Sequence, residues 1–142
     1  MKEPRVVAAA RVMPFSPPGL ADVFYSKMLI DKENPGSDRL QVNHCVLKGG
    51  GRMPGAAHKA PYDEIYYVLK GEAVLRMDGV DYDIGKDTVV FIPGGIFHAL
   101  TNKSETEEFV LLTIRPGQPE PGVNEVYDLR KEAWGTTFRE IE

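Results

Sequence analysis

The chain has 142 residues and a mass of 15.8 kDa, which gives room for one domain with a real core. Its 17 Lys and Arg against 21 Asp and Glu leave a net charge of −4, which excludes a basic surface built for nucleic acid or an anionic membrane. The only cysteine, Cys45, excludes an intrachain disulfide and a cysteine-based zinc site, and the early apolar run Val6–Ala10 is too short for a membrane span or signal core, so a cytoplasmic protein is expected.

In chain order, residues 1–22 read as an amino-terminal arm: a strand over Arg5–Val12, then a connector with three prolines over Met13–Gly19. Residues 23–116 read as a barrel. Val23–Ile30 is rich in strand formers and runs into a dense turn signal, Asp31 to Asp38. Arg39–Lys48 alternates, with Leu40, Val42 and Val46 on the same face as His44, and Gln41 and Asn43 on the other. The apolar face is expected to point inward, and His44 with it. Cys45 falls on the opposite face. Gly49–Gly51 stop this strand and are expected at the barrel rim, where loops enter the site. Ile65–Leu69, Ala73–Met77, Val80–Ile84, Thr88–Ile92 and Phe109–Ile114 are further strands, with Asp78-Gly79 the two-residue hairpin turn between Ala73–Met77 and Val80–Ile84. Residues 117–142 are a carboxy-terminal extension with weak helical period over Leu129–Trp134. Short strands at regular spacing, punctuated by 14 Gly and 11 Pro, predict an all-β antiparallel fold with extended arms.

The histidines carry the chemistry. There are three, His44, His58 and His98. His58 opens a segment that ends at Glu64, and His98 follows a Pro93-Gly-Gly turn. Two motifs hold them: Gly51, His58, Glu64 and Gly71 in the first, and Gly85, Pro93, Gly95, His98 and Asn102 in the second. Together they resemble the paired motifs of the cupin superfamily, in particular its small single-barrel members. The resemblance implies a double-stranded β-helix, the jelly-roll barrel. It also implies one divalent metal ion held by His58, Glu64 and His98, with Fe, Zn, Ni and Mn all open and no organic cofactor. Ala60 stands where the family places a further histidine ligand. Two His and a carboxylate still suit a facial non-haem iron site, or zinc with a water.

Alternation that turns Glu64 inward does the same for Tyr66, the candidate proton donor or substrate hydrogen-bonding group. His44 is either a hydrogen-bonded core residue or a replacement ligand and acid–base group. Tyr62 and Phe91 are expected to line the substrate cavity. Arg76 and Arg115 could each take a carboxylate, with their direction open. The resulting expectation is a metal-dependent enzyme acting on a small oxygenated substrate, of isomerase, cyclase, lyase or dioxygenase type. The alternative is a non-catalytic small-molecule binder or sensor with a degenerate metal site. Neither nucleic acid nor membrane is expected as a partner. Small cupins of this kind often pair sheet to sheet with exchanged arms, so a homodimer is expected.

Overall fold

Alternating runs closed by glycine and proline become antiparallel strands in the computed structural model, which describes residues 3–34, 36–56, 62–117 and 125–141. They are β1 (Phe24–Ile30), β2 (Leu40–Leu47), β3 (Arg52–Ala56), β4 (Glu64–Lys70), β5 (Glu72–Met77), β6 (Val80–Gly85), β7 (Val89–Ile92), β8 (His98–Asn102) and β9 (Phe109–Pro116), followed by helix α1 (Glu125–Trp134). Sequence patterning does not anticipate β3 and β8. β3 contains Pro54 and Gly55, which argue against a strand in isolation, and it survives because it is an edge strand.

The strands form two facing sheets, β1-β2-β9-β4-β7 and β3-β8-β5-β6, with every pairing antiparallel. This is the jelly-roll barrel. Asp78 and Gly79 take φ of 47° and 81°, as a tight β5–β6 hairpin requires.

The register arranges the inner face of the larger sheet in rows. Gln41 stands opposite Arg115, and on the far side of the sheet Glu64 stands opposite Ile92. Asn43, Thr113, Tyr66 and Val90 form the next row, and Leu47 with Phe109 the last. The interior is therefore polar at one end and apolar at the other. At the apolar end Val68, Leu75 and Phe109 are fully buried, each contributing about 1.5–3 kcal/mol.

That closed end is tied by Asn102, whose amide donates to the carbonyls of Leu47, Lys48 and Glu107 at 2.8–3.1 Å. The Gly49–Gly51 loop lies here too, away from the polar end where it was expected. A Cβ on Gly49 would meet the Glu105 carbonyl oxygen at 2.6 Å, so close backbone approach explains this glycine.

The arms also depart from expectation. Residues 3–12 form no strand; Ala9–Arg11 is a single 3-10 turn. Val12 and Phe15 are buried, Val12 bridges Glu140, and Phe15 bridges Ser26 at the edge of β1. The amino-terminal arm thus packs on its own barrel. Helix α1 follows the same side: Trp134 meets Phe15 edge-on at 5.5 Å, and Arg130 lies over the Phe15 ring at 5.3 Å. No helix among the described residues is long and apolar enough to cross a membrane.

Candidate functional site

At the polar end, β4 supplies Glu64 and Tyr66, β8 supplies His98, β9 supplies Arg115, and β2 supplies Gln41. All five lie on inward parity. The Pro93–Gly95 turn that aims His98 inward is held by Asp63, whose carboxylate accepts the Gly94 N–H at 3.0 Å, and by Gly95 at φ 86°.

Glu64 is the hub. Its Oε1 lies 3.5 Å from His98 Nε2, and its Oε2 lies 3.3 Å from Arg115 Nη2. Glu64 and His98 are buried, and the Arg115 side chain is nearly so. His98 Nδ1–H donates to the Ile96 carbonyl at 2.9 Å, which turns Nε2 toward the Glu64 carboxylate. A carboxylate facing an imidazole nitrogen at that distance is held by a proton on Nε2 or by a metal ion between them. Burial lowers the affinity of His98 for a proton, but the Glu64 carboxylate and the Ile96 carbonyl outweigh it and leave its pKa raised.

The donor set fits a divalent metal: an imidazole oriented through its other nitrogen, and a carboxylate oriented by an arginine. Among the described residues no three His, Cys, Asp or Glu converge as a metal cluster. His58, the third expected ligand, and Ala60 lie outside the described residues.

Tyr66 is buried and meets the His98 ring edge-on at 6.1 Å. Burial, reinforced by Glu64, lifts its phenol well above the ordinary value of 10.0, so it stays protonated and can donate. Tyr62 stands half-buried two residues before Glu64.

Two expected site residues face the other way. His44 pairs with Lys27 and Leu112 on the outer face of the larger sheet, while Gln41, Asn43 and Cys45 face inward. The parity was assigned by apolar content, and β2 inverts the usual rule because its inner face is polar at the site while its outer face carries Val42 and Val46. Phe91 is 59 % exposed and pairs with Ile65 outside the barrel. Parity cannot be counted back through the Pro93 turn; Val90 and Ile92 are the inward residues. Arg76 also faces outward, paired with Asp81 at 2.9 Å.

Sequence reasoning missed Gln41 and Arg130 and left Arg115 undirected. Gln41 is fully buried, and its Nε2 and Oε1 have no hydrogen-bond partner among the described residues; Arg115 Nε and Arg130 Nε are likewise unpartnered among them. Each buried polar group left so costs about 1–3 kcal/mol, so such a cluster is uncommon in a finished core. Arg130 enters from α1 and donates to Ser26 Oγ in a short hydrogen bond. Burial draws its pKa down to about 10. Cys45, deeper on β2, has its thiol pushed up to about 12 by burial and then by Glu64, and is inert as a nucleophile. A signal was available for Arg115, which shares strand parity with the core residues Leu111 and Phe109; for Gln41 the apolar Val42 and Val46 on the opposite face pointed the other way.

Comparison with known proteins agrees with the fold. The family described as "Cupin domain" matches residues 43–115. The tetracenomycin polyketide synthase protein TcmJ of Streptomyces glaucescens is 25 % identical over 126 residues, covering 87 % of this chain and 83 % of that protein. Among solved structures, the polyketide cyclase RemF from Streptomyces resistomycificus superposes with a TM-score of 0.70 at 22 % identity, covering 92 % of this chain and 94 % of RemF. A predicted oxalate decarboxylase from Thermotoga maritima gives 0.68 at 23 % identity, covering 80 % of this chain and 100 % of the other. The two structures share the fold.

Proposed function

This chain belongs to the cupin domain family, and from that premise we propose that it is a metal-dependent enzyme acting on a small oxygenated organic substrate inside the barrel. The observation that supports the reading is the buried Glu64–His98 pair, whose imidazole Nε2 faces a carboxylate oxygen at 3.5 Å. His58, Glu64 and His98 would hold the ion, which when bound polarises a substrate oxygen. Arg115 orients Glu64 from the side away from His98. Tyr66 holds a proton at its phenol oxygen beside His98, positioned to donate to a developing oxyanion. The apolar rows beneath exclude water from that proton. Proton movement of this kind supports isomerase, cyclase or lyase chemistry over dioxygenation, and the polyketide proteins among the relatives support the same side.

A second reading has its own observation. Glu64 already pairs with Arg115, so the acid is neutralised without a metal, which favours a non-catalytic ligand-binding barrel. Metal content separates the two. Protein purified without chelator or affinity tag is expected to carry about one equivalent of a divalent ion by elemental analysis. His98→Ala and His58→Ala are each expected to lose it while keeping the β-sheet circular dichroism signal. Wild-type protein that takes up neither iron, zinc, nickel nor manganese would falsify the enzyme reading.

The proposal extends to assembly and location. The outer face of the larger sheet exposes Ile65, Val89 and Phe91 beside Val42 and Leu112, and pairing of two such faces makes a homodimer. A single buried free thiol suits a reducing compartment such as the cytoplasm.

A further inference from the structure

Gln41 and Arg115 are cross-strand neighbours on the inner face of the barrel, in the row at its polar end. Gln41 is 0 % exposed, and both ends of its amide lack a hydrogen-bond partner among the described residues. Arg115 commits Nη2 to Glu64 and leaves Nε–H unpartnered. The row therefore offers two kinds of donor, the Gln41 amide N–H groups and Arg115 Nε–H, and one acceptor, the Gln41 carbonyl. A buried arginine edge beside a buried amide nitrogen suits the two oxygens of a carboxylate. The acceptor beside them asks for something a carboxylate lacks, an O–H or N–H on the same ligand. A hydrocarbon would leave all these groups unsatisfied, and a simple carboxylate would leave the Gln41 carbonyl so.

We propose that Gln41 and Arg115 form a subsite for a small hydroxy acid, with the carboxylate on Arg115 Nε and Gln41 Nε2 and the adjacent hydroxyl donating to Gln41 Oε1. The subsite rests on the reading that the barrel interior holds the substrate, and it does not require the metal. It names the substrate class that the Glu64, His98 and Tyr66 end would receive, and it assigns Gln41 the task of selecting for the hydroxyl. Selection of this kind is strong where a buried polar group is left unpaired by the wrong ligand.

The test uses the full chain, stripped of metal by chelator and dialysis, so that the outcome is independent of the metal reading. Lactate, propionate and propan-2-ol are titrated while the Gln41 side-chain amide and Arg115 Nε–H resonances are followed by nuclear magnetic resonance. Lactate is expected to shift both resonances and to bind about five- to tenfold tighter than propionate, the effect of one buried hydrogen bond. Propan-2-ol, lacking the carboxylate, is expected to leave them in place. Gln41→Leu, which replaces an unpartnered amide by an apolar group of similar size, is expected to keep or raise Tm while erasing the preference for lactate. Gln41→Met serves in its place should the leucine variant fail to fold. Equal affinity for lactate and propionate in the wild type overturns the proposal. So does a lactate preference that survives in the variant, or lactate binding that appears only after zinc is added and ignores position 41.

Discussion

One position separates His44 from Cys45, and that single step decides which of them enters the barrel. Cys45 lies inside, against the site; His44 lies outside, half-buried, with an unpartnered Nδ1. Burial lowers the His44 pKa below its ordinary 6.5 and Lys27 beside it adds to that, outweighing the opposing pull of a backbone hydrogen bond and of Glu108. The folded state thus binds the proton less readily than the unfolded chain. The His44 contribution to stability is complete above about pH 6.5 and is lost as pH falls through the lowered folded value. Thermal melts across pH 7.5 to 5 are expected to show Tm falling more steeply in the wild type than in His44→Leu. Parallel curves for the two proteins would show that His44 titrates alike in both states.

At the scale of elements, α1 does more than cover the sheet. It buries Arg130 to 1 % exposure, with hydrogen bonds to Ser26 and a cation–π contact to Phe15, and so clamps the amino-terminal segment between helix and β1. Arg130→Ala removes a packed aliphatic stem and leaves the Ser26 hydroxyl without its partner, a loss on the order of 3 kcal/mol. For a chain of this length that is roughly 6–12 °C in Tm, measurable by circular dichroism. A shift below about 2 °C would show α1 to be an ornament to the barrel. The strand elements carry a different lesson. Both faces of β2 are apolar in part, because one packs in the barrel and the other lies on the exposed apolar sheet face. Alternation then identifies the strand but leaves its orientation undecided.

For the molecule as a whole, the graded interior and the apolar exterior sheet have separate uses. A polar end collects Glu64, His98, Tyr66, Arg115 and Gln41, while the opposite end holds the stabilising core. The exterior face leaves Phe91 and Val89 each 59 % exposed, a cost in water that a partner surface would relieve. Phe91→Glu places a charge in the middle of that face. Light scattering at micromolar concentration is expected to give a dimer for the wild type and a monomer for the variant, with Tm falling as the dimer dissociates. A monomeric wild type would refute the assembly.

The sequence by itself determined an antiparallel all-β fold, most of its strands, the hairpin at Asp78-Gly79 and the inward face of Glu64 and Tyr66, and its resemblance to the cupins supplied the jelly-roll topology. The strands and the hairpin are local facts, since turn residues fix φ and period fixes strand, while the two motifs carry the resemblance. Only tertiary structure decided which face of β2 points inward, that Phe91 lies outside, that Asn102 and Gly49 serve the closed end, and that the arms fold back on their own chain. The physical reason is that inside and outside belong to the closed pair of sheets and to no single strand. Where a barrel is polar within and apolar without, hydrophobicity read one strand at a time reverses the answer. Gln41 shows the consequence most plainly. Its amide reads as a solvent-facing group in sequence and becomes the most deeply buried polar side chain at the site once β2 is seated between β1 and β9.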